Sequence, residues 1–419
     1  MPPSRRLTVA LVASAALLAS AAPALSARIL PPGTAYGDAE VDLSTNGRAI
    51  VAYERLRPGP DLIRVAIRRA DRLNRPTVGR VLGRGNLQLA RAGGVASGPH
   101  LVAWKRRGEL VVSVLSRGAW RTERLPAGVR SFDALSAAIA GSSMVLVAGN
   151  DANVVAVASV GPGKWVARPL PAGPPRSKVV ARASEPSGRV VAAWTEAGFA
   201  GPSVAASSFD PGSLAWSPPA TLVAAGTVPS PEPDDLSLNG RGDAALSIVA
   251  ADSVTGPRPP TTAVRVLPAL SSAWSAPPDV PRESRPGALE VAVTPGGVPV
   301  YALLRDGVRF AALAAGAWGP EELAWPGPAN PDFGFLWEVD DLAVAQGGRV
   351  VAAVAVDPGP GPDDHSFLVR TPSNGRWSAP KRFASLYGPP ELIVGGRRVA
   401  ASWVEDASGS GLPEAVLAP

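Results

Sequence analysis

The sequence predicts an all-β fold, a β-propeller of four-stranded blades, with eight blades expected and seven as the alternative. Two recurring phrases and the two chain ends lead to it. The first phrase is a glycine turn followed by a burst of Val, Ala and Leu, often ending in an aromatic. It occurs eight times, from Gly47-Arg-Ala-Ile-Val-Ala-Tyr53 and Gly98-Pro-His-Leu-Val-Ala-Trp104 to Gly348-Arg-Val-Val-Ala-Ala-Val354 and Gly396-Arg-Arg-Val-Ala-Ala-Ser-Trp403. Successive glycines of the phrase lie 51, 43, 47, 52, 57, 51 and 48 residues apart. A period of this length built only of strand-like pieces is the pattern of repeated blades.

The N-terminus stands outside this pattern. Arg5 and Arg6 precede an apolar run from Leu7 to Ala22, and small residues follow around Ala22-Pro-Ala24 and Leu25-Ser-Ala27. That is the layout of a bacterial secretory signal peptide, with cleavage expected between residues 24 and 28. The apolar run is short for a membrane span. Residues 1–27 are therefore read as a leader and 28–419 as one domain, exported to the cell envelope or the extracellular space. No other segment has 18 consecutive apolar residues without Pro or a charge, so no membrane span is expected in the mature chain.

One unit, from about 287 to 326, shows how a blade is written. Leu289-Glu-Val-Ala-Val-Thr alternates with period two and suits an inner strand. Pro295-Gly-Gly297 is a tight turn, Val298 to Leu303 a second strand, Val308 to Leu313 a third, and Trp318 opens the fourth. The second strand is nearly all apolar in most copies, as a strand covered on both faces must be.

The second phrase belongs to the hairpin between third and fourth strands, where a Gly shortly precedes a Trp: Arg117-Gly-Ala-Trp120, Gly161-Pro-Gly-Lys-Trp165, Gly316-Ala-Trp318 and Ser373-Asn-Gly-Arg-Trp377. Ser271-Ser-Ala-Trp274 lacks the Gly, and Ser208-Phe-Asp-Pro-Gly-Ser-Leu-Ala-Trp216 is the fullest copy. This last segment resembles the Asp-box, or bacterial neuraminidase repeat, with its Trp one residue late and its Asp missing from the other copies. Turns such as Leu43-Ser-Thr-Asn-Gly-Arg and Leu236-Ser-Leu-Asn-Gly-Arg look like WD40-type bacterial propeller repeats. Asp-boxes are structural hairpins in propellers of several functions, so the resemblance implies a fold and no catalysis.

The chain ends complement each other. The last unit has an inner strand at Leu392–Val394, a second at Val399–Trp403 and a third at Glu414–Ala418, and then stops. Ala27-Arg-Ile-Leu30 precedes the first inner strand and aligns with the fourth-strand segment Ala220-Thr-Leu-Val. Joining it to the last unit would close the ring and remove its free edges.

Composition excludes several chemistries. The chain has no cysteine, hence no disulfide, thiolate metal site or Cys nucleophile. Without Arg5 and Arg6 the 41 basic residues become 39 against 35 acidic, a net charge of +4, and they are scattered, so nucleic acid is not an expected partner. The two histidines, His100 and His365, belong to no metal-ligand spacing; His100 reads as a packed second-strand residue, and His365 follows Asp363-Asp364 as a weak candidate ligand. No calcium loop, nucleophile elbow or P-loop occurs, and no cofactor or metal is expected. The four tyrosines lack the setting a sialidase needs.

Candidate site residues come from loops and from the inner strands. The connections between second and third strands and between blades are long and variable, which makes one face of the ring loop-rich. On that face Trp325-Pro-Gly-Pro-Ala-Asn-Pro-Asp-Phe333-Gly-Phe335-Leu-Trp337 places four of 23 aromatics in 13 positions and runs on to Glu338, Asp340 and Asp341. Trp325, Phe333 and Trp337 could stack on a sugar ring; the favoured role for Phe335 and Trp337 is to plug the gap between blades six and seven. Glu40, Asp42, Asp133, Asp234, Asp235, Glu290, Asp340, Asp341 and Glu391 recur on or near the inner strands, at the mouth of the channel. They could be a solvated rim, a cation site or a general acid/base pair.

The expected function is a monomeric, exported binding or interaction module for a glycan, envelope or protein ligand. Trp325, Phe333, Trp337, Asp234, Asp235, Asp340, Asp341 and His365 are its candidate ligand contacts, with no catalytic residue assigned. The alternative is a secreted carbohydrate-active hydrolase of the propeller glycosidase type, using channel carboxylates.

Overall fold

The computed structural model describes residues 26–28, 36–44, 48–55, 61–69, 79–93, 99–150, 153–174, 176–228, 230–250, 261–281, 289–327, 335–357, 364–370, 375–383, 386–405 and 412–418. Among them, eight antiparallel sheets follow one another along the chain, and the only helical piece is a single turn at Ala127–Val129. The protein is an all-β propeller. Blades 1 to 8 have inner strands Tyr36–Leu43, Asn86–Arg91, Asp133–Ala140, Arg176–Ala183, Pro231–Leu238, Leu289–Val293, Phe335–Val344 and Leu386–Gly395. In the first seven, each is followed outward by a second, third and outer strand in sequence order, the outer one split in two in the fourth and sixth; the eighth takes its outer strand from the N-terminus.

The glycine phrase becomes the turn into the second strand. In Val190–Glu196, Val190, Val191, Ala192, Ala193 and Trp194 are all completely buried. Small residues let the blades approach, and larger ones fill the wedge between them. One cluster, for example, joins Ile50, Ile63 and Val65 of blade 1 to Leu87, Val102 and Trp104 of blade 2. Comparable clusters join each later pair of neighbours up to blades 7 and 8. The core is thus a series of wedges and not one central mass. The channel wall is the row of inner strands, each packed on the next, with Leu386–Gly395 packed on Tyr36–Leu43.

The tryptophans of the second phrase stitch outer strands together. Trp165 Nε1 donates to Glu123 of the preceding blade at 2.7 Å, and Trp216 Nε1 to the Arg168 carbonyl at 2.8 Å. Trp318 repeats this with the Pro278 carbonyl at 2.8 Å. Asp210, the acid of the segment that resembles an Asp-box, uses both oxygens on its own turn, accepting from Gly212 N–H at 3.0 Å and Ser213 N–H at 3.1 Å.

The chain ends meet in the last sheet. Ser26–Arg28 pairs antiparallel with Leu412–Ala418, in the register Ser26 opposite Val416, Ala27 opposite Ala415 and Arg28 opposite Glu414. The strand begins one residue before the segment the sequence suggested. No helix among the described residues is long and apolar enough to cross a membrane.

The loop-rich face is less uniform than the sequence suggested. In blade 2 the second and third strands are joined by Arg107-Gly108 alone, with φ of 53° and 81°, a tight hairpin in the left-handed region. In blade 3 the connection runs only from Gly149 to Val154. The longer connections at 56–60, 251–260, 282–288, 328–334 and 358–363 lie outside the described residues.

Candidate functional site

The charged side chains of the inner strands form the candidate site, and their first partners are backbone groups of neighbouring blades. Asp42 Oδ2 accepts Ala92 N–H at 2.7 Å, and its Oδ1 lies 3.2 Å from Arg91 Nη1. Ser136 Oγ accepts Ala183 N–H at 3.0 Å. Asp235 Oδ2 accepts Val291 N–H at 3.0 Å, and Asp341 Oδ2 accepts Leu392 N–H at 2.7 Å. Every odd-numbered blade therefore supplies an oxygen that receives the N–H one repeat later. Arg91 Nε continues the chain in the other sense, donating to the Ala137 carbonyl of blade 3 at 3.0 Å.

Irregular pairing aims these groups. The register of inner to second strand slips between Ala134 and Ser136, between Pro233 and Leu236, and between Val339 and Asp341. A bulge turns a side chain out of the strict alternation of a strand. That places Ser136, Asp235 and Asp341 against the next blade.

Three carboxyls then stand close together on blades 5, 6 and 7. Glu290 and Asp235 hydrogen-bond to each other, so one proton is shared between them. Glu290 is held well above the usual carboxylate range by burial first, then by the charge of Asp235, with Asp341 and Asp234 adding to it. Asp341 is pushed up to about 7 by burial, with Asp235 and Glu391 raising it further and the N–H groups of Leu392 and Leu342 opposing. Burial also raises Asp42, against the pull of Arg91. Glu185 is pushed to about 8, by burial and then by the charge of Asp42.

Cations sit on the other arc. Arg91 faces Asp42, Glu391, Glu185 and Glu40, and Arg182 acts on Asp235 of the neighbouring blade. Most acids of the wall thus lie on blades 5 to 8 and 1, the arginines on blades 2 and 4, with Glu185 on blade 4 as the acid among the cations. Among the described residues, no three His, Cys, Asp or Glu are arranged to hold a metal ion.

The sequence candidates divide accordingly. Asp235 and Asp341 lie in the cluster; Asp234 is exposed at its edge, and Asp340 is half-buried beside Asp341. Asp133 is drawn away into an ion pair with Lys105. Trp325 is 8% exposed and packs among Val308, Phe310, Val339 and Leu342, in the wedge between blades 6 and 7. Its ring has no free face on which a sugar could stack. Trp337 lies in the strand Phe335–Val344, and His365 lies in the strand Asp364–Arg370 opposite Ala355 and Phe383. The side chains of Trp337 and His365, and Phe333 altogether, lie outside the described residues. His100 is buried, and its Nδ1 accepts Gly93 N–H at 3.0 Å.

Arg91, Arg182 and Glu185 were missed by a search for acids. The first two were readable. Asp42, Arg91 and Arg182 pair with Ile50, Leu101 and Val191, each the third residue after the glycine of its phrase. Glu185 sits in the turn after its inner strand and had no such marker.

No family model matches this chain, and no curated protein sequence matches it. Several solved structures are similar in fold. YCF48 bound to D1 peptide is 12% identical with a TM-score of 0.43, over 80% of this chain and 91% of that one. The polysaccharide lyase Uly1 is 9% identical with a TM-score of 0.48, over 82% and 91%. The WD40 domain of SCAP from fission yeast is 9% identical with a TM-score of 0.47, over 94% and 96%.

Proposed function

We propose that this protein is an exported, non-enzymatic binding module, an eight-bladed ring sealed by its N-terminal strand, whose ligand is a glycan, an envelope component or a protein. One observation carries the reading. Asp42, Asp235 and Asp341, the inner-strand aspartates hydrogen-bonded across blades, hold the backbone of the next blade. Their first task is architectural, which leaves recognition to the loops. Propellers commonly place function on such loops.

A second reading, a carbohydrate-active hydrolase, draws on the shared proton of Glu290 and Asp235 beside the half-buried Asp341, since paired carboxyls of unequal proton affinity suit acid/base work. The test is a screen of the exported protein on a glycan array and on a panel of polysaccharide substrates. Binding without any cleaved product is expected. Product formation that disappears in Glu290→Gln or Asp341→Asn would establish the hydrolase instead.

A further inference from the structure

We infer that the leader is removed at the Ala24–Leu25 bond, leaving Ser26–Arg28 on the mature chain as the outer strand of the last blade. The inference rests on the export reading above. The sequence around the leader's end offers more than one cut. A small residue at both the first and third positions before the bond allows cleavage after Ala24, with Ala22 as the partner, or after Ser26, with Ala24 as the partner. Cleavage after Ala27 is the third choice, with the larger Leu25 three residues before the bond.

The strand decides among them. Ser26, Ala27 and Arg28 face Val416, Ala415 and Glu414 in an unbroken antiparallel register. A cut after Ser26 removes one of these three pairs, and a cut after Ala27 removes two. The first would take the partner from Val416 and the second also from Ala415, adding unpaired N–H or C=O groups to the edge that another chain could use. A cut after Ala24 keeps every pair and leaves only Leu25 ahead of the strand. It also explains why the cleavage signal and the fold can overlap so closely: the small residues needed by the peptidase end where the ladder begins.

The reaction is a hydrolysis. Water adds its hydroxyl to the Ala24 carbonyl carbon and its proton to the Leu25 nitrogen as the C–N bond breaks. The exporting cell's leader peptidase supplies the catalyst, and no oxidant or reductant is involved. The new terminus then enters the last blade, so the ring is sealed only after the C-terminal residues have followed it across the membrane.

The full chain, expressed in an exporting bacterial host and recovered outside the cytoplasm, tests this by intact mass and N-terminal sequencing. Leu25 is the expected first residue. A start at Ser26 or later overturns the inference and leaves export standing, whereas a cytoplasmic chain that keeps its leader overturns both. A second arm uses the pair Ala27→Pro and Arg28→Pro, which leaves Ala22 and Ala24 untouched. Successive N–H groups of a strand face opposite sides, so the pair removes whichever one meets Leu412–Ala418. Unchanged cleavage is expected, with hydrogen exchange faster by at least about tenfold at whichever of Glu414, Ala415 and Val416 turn their N–H toward Ser26–Arg28. Exchange equal to that of the natural chain would show that the strand does not seal the blade, and would overturn the inference.

Discussion

Asp341 Oδ2 lies 2.7 Å from the backbone nitrogen of Leu392 and accepts its N–H, so a titratable group is the bolt between blades 7 and 8. The bond has consequences for pH. Burial raises Asp341 from 3.8 to about 7 and Glu185 from 4.5 to about 8. A carboxyl whose proton affinity is higher in the folded chain stabilises the fold fully below its unfolded value, and that contribution is lost as pH rises through the folded one.

The melting temperature should therefore fall between about pH 5 and about pH 9, as the acids of the channel wall are forced to ionise together. Asp341→Asn keeps an oxygen for Leu392 and removes the charge, so the fall should become shallower. Asp341→Ala leaves the Leu392 N–H without its acceptor and should cost about 1–3 kcal/mol at low pH, with the cost shrinking as pH rises and the natural carboxyl is forced to ionise. Thermal melts of the three proteins across the range check both. A natural chain with a flat profile would show that the cluster stays ionised.

Trp318 and Trp377 occupy equivalent places in their hairpins and should respond differently to loss of the indole N–H. Trp318 donates to the Pro278 carbonyl and packs edge-on against Tyr301 with centroids 4.7 Å apart. Trp377 packs edge-on against Phe310 at 5.4 Å, and its buried Nε1 has no hydrogen-bond partner. Replacing Trp318 by Phe should cost about 1 kcal/mol, while Trp377→Phe should be neutral or slightly stabilising. Denaturant melts of the two variants compare them directly. Equal losses would mean that ring volume, and not the hydrogen bond, is what the hairpin requires.

The same contrast shows which parts of the molecule could be read in advance. Repeats such as Gly188 to Trp194 and the Gly–Trp hairpins betray the blades because each must satisfy local rules of turn and alternation. The polarity of the channel wall follows no local rule. Asp235 and Asp341 reach the next blade through bulges, and a bulge depends on how two strands pair and not on the residues of one. Arg91 and Glu185 meet Asp42 only because the ring brings blades 1, 2 and 4 around one axis. Trp325 misled for the converse reason: an aromatic in a segment rich in Pro and Gly looks like a loop residue until its pairing with Val308 places it in the core.

Arg189 offers a test of how the short turns between strands are held. Its Nη1 donates to the carbonyls of Gly242, Pro268 and Ala269, and its Nη2 to the Ser271 carbonyl and Ser208 Oγ. One guanidinium thus gathers blade 4 and two turns of blade 5. Arg189→Ala should cost about 2–4 kcal/mol, because several carbonyls lose a charged donor at once. Arg189→Lys should recover less than half, since an ammonium cannot copy the planar fork. Denaturant melts of both variants measure this, and full rescue by lysine would reduce the role of Arg189 to simple charge.

His100 sets the acid limit. Its Nδ1 must stay unprotonated to accept Gly93 N–H, and burial, followed by the charge of Arg48, lowers it from 6.5 to about 4. A group whose folded value is depressed contributes stability above its unfolded value and loses it as pH falls through the folded one. This runs opposite to the channel carboxyls, which outnumber it, so the two together should give a stability maximum near or below about pH 5. The chain has only two histidines, so their ring protons can be assigned by a single substitution and followed by NMR. The His100 resonance should titrate near 4, with the onset of unfolding close behind. His100→Gln tests the coupling, because an amide can accept the Gly93 N–H and does not titrate in this range. Its acid limb should move to lower pH while the alkaline fall persists unchanged. An acid limb that stays in place would assign the transition to other groups.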